Sequence, residues 1–294
     1  MAHDAGKTAY GPTFQVAIEQ WVPREQRIVH DAVAYQILPT SLRAFARIFR
    51  AGAIRQAILG LADRAVPGVR GGILCRKRYI EETLRAALHP GLASLVILGA
   101  GFDTLAYRIP ELAAKQVYEV DLPEVIETKK RALRRTYGQV PAHVRLVAID
   151  FDRQKLEEVL DQAGYAGDQP SFFVWEGVTQ YISEDAVRQT FAFLQKSAPR
   201  SQIAFTYVPL DFIEGRCMYG LEVLYRRTRI RRQLWRFGLE PQAVGGLLAQ
   251  YGWRELEQMG SADYIARYVQ PTKRTLPVMQ VERMVHAVRA IRDD

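Results

Sequence analysis

Cysteine is nearly absent: Cys75 and Cys217 are the only two in 294 residues, far apart and with no partners at metal-ligand spacing. That excludes a disulfide framework and a cysteine-built metal centre, and it suits two buried thiols in a reducing compartment. Long apolar runs are missing as well, and nothing approaches the ~20 residues needed to cross a bilayer. The first thirty residues lack a basic head followed by an apolar core, so no secretory signal is expected. The expected location is cytoplasmic, with no membrane partner. Histidine is scarce too. His3, His30, His89, His143 and His286 show no pairing with acids that marks a general base, and none follows a core strand. No metal cluster, internal repeat or low-complexity segment is visible.

What the chain has in excess is positive charge. Lys and Arg number 40 against 32 Asp and Glu, a net charge of +8 and a pI near 9.5. The excess concentrates in "LEVLYRRTRIRRQLWRFG", residues 221–238. Val223, Ile230, Leu234 and Phe237 fall near one helical face there, while Arg226, Arg227, Arg229, Arg232 and Arg236 spread over the rest. A surface helix with a solvated basic side is the favoured reading. No zinc finger, RRM aromatic motif or basic tail accompanies it, so nucleic acid is not an expected partner.

Residues 1–90 read as amphipathic helices punctuated by Pro23, Pro39 and Pro67. From residue 94 the pattern alternates strand and helix. Strands are predicted at 94–98, 116–120, 144–149, 171–175 and 201–207, with helices between them, which makes a parallel, doubly wound sheet. Residues 209–250 interrupt it with a basic, helical insertion. "GWRELEQM" could supply a closing strand, and "QVERMVHAVRA" either a strand or a helix.

The chemistry gathers at strand ends. "SLVILGAGFDTLAYRIP", residues 94–110, is an apolar run that breaks at Gly99 and Gly101, where the backbone can turn sharply and keep side chains away from a ligand. Asp121 follows the second strand, Asp150 and Phe151 the third, and Glu176 the fourth. A carboxylate at Asp121 can accept from both hydroxyls of an adenosine ribose, and Asp150 from an adenine amino group flanked by Phe151. Each acid alone reads as a cap or loop residue, but together they favour a nucleoside site. A dinucleotide fits poorly. Thr104 stands where G-x-G-x-x-G has its third glycine, and Asp103 puts negative charge where a pyrophosphate would lie. A cationic sulfonium ligand, S-adenosylmethionine, fits better.

The joint pattern "LVILGAGFDTLAYRIP … VYEVDLPEVIETKK … VRLVAIDFD … FFVWEGVTQYISEDAV" resembles the leucine carboxyl methyltransferase family, in its bacterial branch similar to natural-product O-methyltransferases. The likeness extends over nearly the whole chain. It implies a class I methyltransferase fold: a Rossmann-like, doubly wound, mostly parallel α/β sheet of seven strands, the last antiparallel. An N-terminal helical cover (1–90) would precede an S-adenosylmethionine-binding domain (91–294) with a helical lid insertion at about 209–250. By the resemblance, Arg78 in "CRKRYIEE" matches the arginine that meets the cofactor's methionine carboxylate, although the branch more often has Arg-Thr-Arg where this chain has Arg76-Lys77-Arg78. Gly99 and Gly101 match the glycine turn, Asp121 the ribose acid, Asp150 and Phe151 the adenine pair, and Glu176 the acid beside the cofactor.

The expected activity is O-methylation of a small molecule of secondary metabolism, acidic or hydroxylated. A carboxylate acceptor is already ionised at neutral pH and requires no base. Tyr181 is the candidate on the acceptor side, and the two segments outside the alternating sheet are expected to fold over the strand ends. The alternatives are a methyltransferase acting on a protein C-terminal carboxyl group and a nicotinamide-dependent oxidoreductase. No oligomeric state is implied.

Overall fold

The structure, a computed structural model, describes residues 9–231 and 233–290. Residues 1–8, 232 and 291–294, with His3 and Arg232 among them, lie outside the described residues. The N-terminal part contains α1 (Tyr10–Glu19), α2 (Val33–Ile37), α3 (Thr40–Arg47), α4 (Gly52–Ala65) and α5 (Val69–Ala87). The alternating part follows as β1 (Ser94–Leu98), β2 (Gln116–Asp121), α6 (Pro123–Tyr137), β3 (Val144–Ala148), α7 (Leu156–Gln162), β4 (Ser171–Trp175), α8 (Glu184–Leu194) and β5 (Gln202–Tyr207). The chain closes with α9 (Val244–Gln250), β6 (Trp253–Met259) and β7 (Arg283–Arg289).

Local chemistry sets several boundaries. Pro123 opens α6, where its missing N–H is no loss, and Gly138 ends it at a φ of +80°. The Ser183 hydroxyl caps α8 by accepting the Ala186 N–H at 3.2 Å.

The seven strands run in the order β3-β2-β1-β4-β5-β7-β6. Four pairings are parallel, and β7 lies between β5 and β6 and pairs antiparallel with both. The order reverses at β1, so the turn after β1 stands at the switch point where α/β sheets bind ligands. Of residues 280–290, which the sequence left between strand and helix, Arg283–Arg289 form a strand.

All five residues of β1 are buried because both faces are covered. Leu95 and Ile97 pack with Leu74, Tyr79, Ile80 and Leu84 of α5 and with Val16 and Ala17 of α1. Val96 and Leu98 pack with Leu160 of α7 and Val187 and Phe191 of α8. The N-terminal helices are thus one of the two layers on the sheet, not only a cover over its edge. Beneath the outer half of the sheet, Lys129 of α6 and Glu119 of β2 pair at 2.8 Å with no exposure of either side chain. Burying both charges is tolerable only because they meet.

The basic segment departs from the expected helix. Residues Glu222–Tyr225 are α-helical and Arg226–Arg231 form a π-turn, after which the chain extends. Gln233 takes a φ of +48°. Beyond it Trp235 and Phe237 are buried two residues apart, and Leu239 bridges Pro209 in parallel. Val223 and Ile230, both in the helical part, share an outward face and are exposed, whereas Phe237, in the extended part, is buried.

Candidate active site

A cavity of about 820 Å³ opens over the carboxyl ends of β1, β2 and β4. Its floor is the turn after β1. Gly99 and Gly101 have φ of +70° and +45°, the left-handed region that favours glycine. They differ in what a side chain would do. A Cβ on Gly99 would overlap the Cγ2 of Val178, which itself lines the cavity, whereas a Cβ on Gly101 would meet nothing nearer than 3.5 Å, at Ala9.

Asp121 secures this turn from the end of β2. One carboxylate oxygen accepts the Gly101 N–H at 2.6 Å and the other the Leu122 N–H at 2.7 Å. Burial raises the Asp121 pKa above its ordinary value despite these bonds. Asp150 and Phe151 line the same end of the cavity, as do Leu122 and Val125. Asp150 is half-buried, and one of its oxygens accepts the Asp152 N–H at 3.1 Å.

Glu176 does not stand alone after β4. Arg76 Nε donates to one of its oxygens at 2.5 Å, and Lys77 Nζ lies 2.8 Å from the other. Arg76 also donates to both oxygens of Glu282 at 2.5 and 2.6 Å, and Lys77 to Asp103 at 2.6 Å. The result is one chain of five charges, Asp103–Lys77–Glu176–Arg76–Glu282, all lining the cavity, with Asp103, Arg76 and Glu282 buried and Lys77 and Glu176 partly so. Burial would lower the Lys77 pKa, but the Asp103 and Glu176 carboxylates outweigh it and hold it up. Burial likewise opposes ionisation of Asp103, yet Lys77 and the Leu105 N–H keep it below the usual carboxylate range. For Glu282 burial wins, and its pKa is raised in spite of Arg76. Three carboxylates against two cations leave the floor negative, and Asp121 adds to the surplus. Such a floor favours a cationic ligand over an anionic one.

Of the residues expected from the sequence, the structure brings Gly99, Gly101, Asp121, Asp150, Phe151, Glu176 and Tyr181 to this one cavity. Arg78 is not among its lining residues: it points to the outer side of α5, where it pairs with Glu82 at 2.7 Å and is 37% exposed. Three consecutive helical residues fan over about 200°, and the cavity side of α5 takes Arg76 and Lys77. Two participants escaped the sequence reading. Lys77 was passed over as the middle of a charged triplet. Glu282 sits at the start of β7, and because β7 runs antiparallel its beginning lies where the parallel strands end.

The other half of the cavity is apolar. Val69 and Ile73 of α5, Leu224, Leu234 and Trp235 of the basic segment, and Met279 line it. Tyr181 meets Trp235 edge-on at 6.2 Å. Arg236 at the rim donates to the Tyr181 carbonyl at 2.8 Å and pairs with Asp152. Tyr10, Trp21, Tyr219 and Tyr225, aromatic residues of the two segments outside the alternating sheet, do not line it; Tyr10 stacks on Phe102 at 3.9 Å. Among the described residues no histidine lines the cavity.

The sequence model described as leucine carboxyl methyltransferase matches residues 9–195, well over half of the chain and the whole of the glycine turn and its acids. The chain belongs to the leucine carboxyl methyltransferase family. A Mycobacteroides abscessus protein, assigned as an S-adenosyl-L-methionine-dependent methyltransferase, is 27% identical over 279 residues, covering 92% of this chain and 90% of its own. A Mycobacterium avium protein with the same assignment is 37% identical over 139 residues, and there the match spans 47% of this chain and 46% of the relative. The chain thus spans about half the length of the curated relatives it matches at the higher identity. Among solved structures, an assigned methyltransferase of Thermobifida fusca shares the fold with a TM-score of 0.58 at 18% identity, covering 82% of this chain and 89% of that one. Family membership sets the oxidoreductase alternative aside.

The residues present fit S-adenosylmethionine. The floor carries surplus negative charge for a sulfonium, the glycine turn offers bare backbone, and the volume lies within the ~300–1,000 Å³ of small-molecule sites.

Proposed function

We propose that the chain methylates an oxygen, carboxyl or hydroxyl, on a small apolar-bodied molecule of secondary metabolism, in the cytoplasm. The methyltransferase class and its S-adenosylmethionine donor come with the family; the acceptor is what the proposal adds. The observation that carries it is the division of the cavity into a charged floor and an apolar half closed by Trp235, Leu234 and Met279.

When bound, S-adenosylmethionine supplies a methyl group on a positively charged sulfur. The chain's own residues then have four tasks. Gly99 and Gly101 let the backbone approach the adenosyl part. Asp121 accepts from the ribose hydroxyls, and Asp150 with Phe151 takes the adenine. Arg76, held by Glu176 and Glu282, offers its guanidinium toward the cofactor's carboxylate in the place first given to Arg78. The apolar half excludes water and aligns the acceptor, and alignment and desolvation supply most of the acceleration of an in-line transfer.

The carboxylates of the wall support a reaction that requires no base. Asp152 is engaged by Arg236, and Asp103, Glu176 and Glu282 are each ion-paired. A carboxylic acid acceptor, ionised at pH 7, requires no base. The test is transfer of isotopically labelled methyl from S-adenosylmethionine to panels of aromatic and aliphatic carboxylic acids, phenols and peptides with a free C-terminus. An alkali-labile methyl ester on a small molecule is the expected product, with an alkali-stable ether as the hydroxyl variant. Label on nitrogen, or on peptides alone, would overturn the reading.

A further inference from the structure

Eight large hydrophobic residues are substantially exposed among the described residues, and six of them fall in two short stretches: Phe45, Ile48, Ile54 and Leu61 in residues 40–65, and Val223 and Ile230 in residues 222–231. Scattered singly, such residues require no explanation; gathered, they mark a contact surface. Helix α4 makes the case most plainly, since none of its 14 residues is buried. Ile54, Ala57, Leu61 and Ala65 share one of its faces by helical spacing and all are exposed. Its Ile58 and Leu59 lean on the small cluster of Ile18, Ala46 and Phe49, which holds the helix to the body.

The same two stretches are strongly basic. They contain nine arginines (Arg43, Arg47, Arg50, Arg55, Arg64, Arg226, Arg227, Arg229 and Arg231) against two acids, Asp63 and Glu222. Asp63 is taken by Arg70 at 3.1 Å. Among the described residues none of the nine arginines has a carboxylate partner; Arg47 donates to the Tyr35 hydroxyl, Arg55 to the Phe49 carbonyl, Arg50 lies over the Trp21 ring, and Arg229 turns inward to the Ile213 and Trp235 carbonyls, which leaves the other eight for the surface. The stretches adjoin. Val66 and Val69, just after α4, and Leu224 and Tyr225 pack on one cluster around Phe212 and Trp235. Val69 and Leu224 also line the apolar half of the cavity.

We propose that residues 40–65 and 222–231 form a surface that docks on an anionic lipid bilayer, beside the mouth of the acceptor pocket. Exposed Phe, Ile, Leu and Val would enter the headgroup boundary while the arginines meet lipid phosphates, the arrangement of an interfacial amphipathic segment. No helix of the described residues is long and apolar enough to cross a membrane, and interfacial docking requires none. A second copy of the chain is the poorer occupant, because a symmetric contact would set this arginine-rich surface against itself. Docking involves no methyl transfer, so it stands or falls separately from the acceptor reading.

The test is co-flotation of the full chain with phosphatidylcholine vesicles, with and without phosphatidylglycerol. Binding is expected on the anionic vesicles alone and should weaken as salt is raised. Leu61→Ser and Ile230→Ser should each reduce partitioning roughly tenfold, and Leu256→Ser, an exposed residue on edge strand β6, should leave it unchanged. Since the replaced side chains are exposed, unchanged thermal unfolding will show that each variant is folded. Absence of binding to anionic vesicles, or equal binding by Leu61→Ser and Ile230→Ser, would overturn the proposal. So would a dimer in sedimentation equilibrium that Leu61→Ser dissolves, which would assign the surface to a second copy.

Discussion

Replacing Gly99 by alanine probes the cradle where it is tightest, and two separable effects act there. Its φ of +70° puts any L residue in the left-handed region, which costs roughly 1–2 kcal/mol. The new Cβ would also overlap Val178 Cγ2, a side chain from the turn after β4. Forcing a methyl into such a contact adds about 1–3 kcal/mol. Gly99→Ala should therefore lose roughly 2–5 kcal/mol in urea unfolding. Gly101→Ala isolates the first effect: its φ is +45°, no atom lies nearer than 3.5 Å, and the expected loss is about 1–2 kcal/mol. Val178→Ala isolates the second. Combined with Gly99→Ala it removes the overlapping methyl but not the backbone cost, so the double-mutant cycle should give a favourable coupling of about 1–3 kcal/mol. Calorimetry with S-adenosylhomocysteine on the folded variants should show Gly99→Ala binding more weakly than wild type, partly restored by Val178→Ala. Coupling within ~0.5 kcal/mol of zero would refute the contact between turn and side chain.

Arg76→Ala should destabilise by roughly 3–5 kcal/mol, because it strands the buried Glu282 and takes one of the two cations from Glu176, whereas Arg78→Ala should shift stability by no more than ~0.5 kcal/mol. Urea unfolding reads both effects, and in calorimetry with S-adenosylhomocysteine Arg78→Ala should bind as wild type; loss of binding there would return the carboxylate role to that residue. Asp121→Ala should weaken S-adenosylhomocysteine binding by about 1.5–3 kcal/mol through lost bonds to a charged acceptor, and a folded variant with unchanged affinity would leave Asp121 only its tie to the turn. Asp103 is held below its ordinary pKa of 3.8, so it binds fewer protons folded than unfolded in that region. Its stabilising contribution is complete above about that value and lost as pH falls below it. Asp103→Asn should flatten that acid limb in pH-dependent unfolding, and an unaltered limb would refute the Lys77 pairing.

The sheet was legible because its strands are short apolar runs covered on both faces, and all five predicted in the core begin and end within one residue of where they were placed. The acids after β2, β3 and β4 were legible for the same reason: fix a parallel strand, and the residue after it must stand at the carboxyl edge. Glu282 followed the reverse rule and was invisible until β7 proved antiparallel. The arginine triplet failed differently. Helix α5 is buried around most of its circumference, with Leu74, Cys75, Arg76, Tyr79 and Ile80 all inside, so periodicity could not say which arginine faced the cavity.

The misread helix at 221–238 shows where sequence patterning gives out, and why it does so at the acceptor. Apolar residues there satisfy a helical period, yet from Arg236 the backbone takes its hydrogen bonds elsewhere: Arg236 N–H to the Gln180 carbonyl at 2.6 Å and Leu239 N–H to Val208 at 3.0 Å. Those long-range partners decide the conformation, and no local pattern encodes them. The donor half of the cavity hangs on strand ends, which a repeating rule dictates. The acceptor half is built from Leu224, Leu234, Trp235 and Met279, each placed by a contact made once in this chain. On the proposed assignment, changes at those four positions should alter which molecule is methylated while leaving the glycine turn and its charge chain intact, so that selectivity and cofactor binding should separate by mutation.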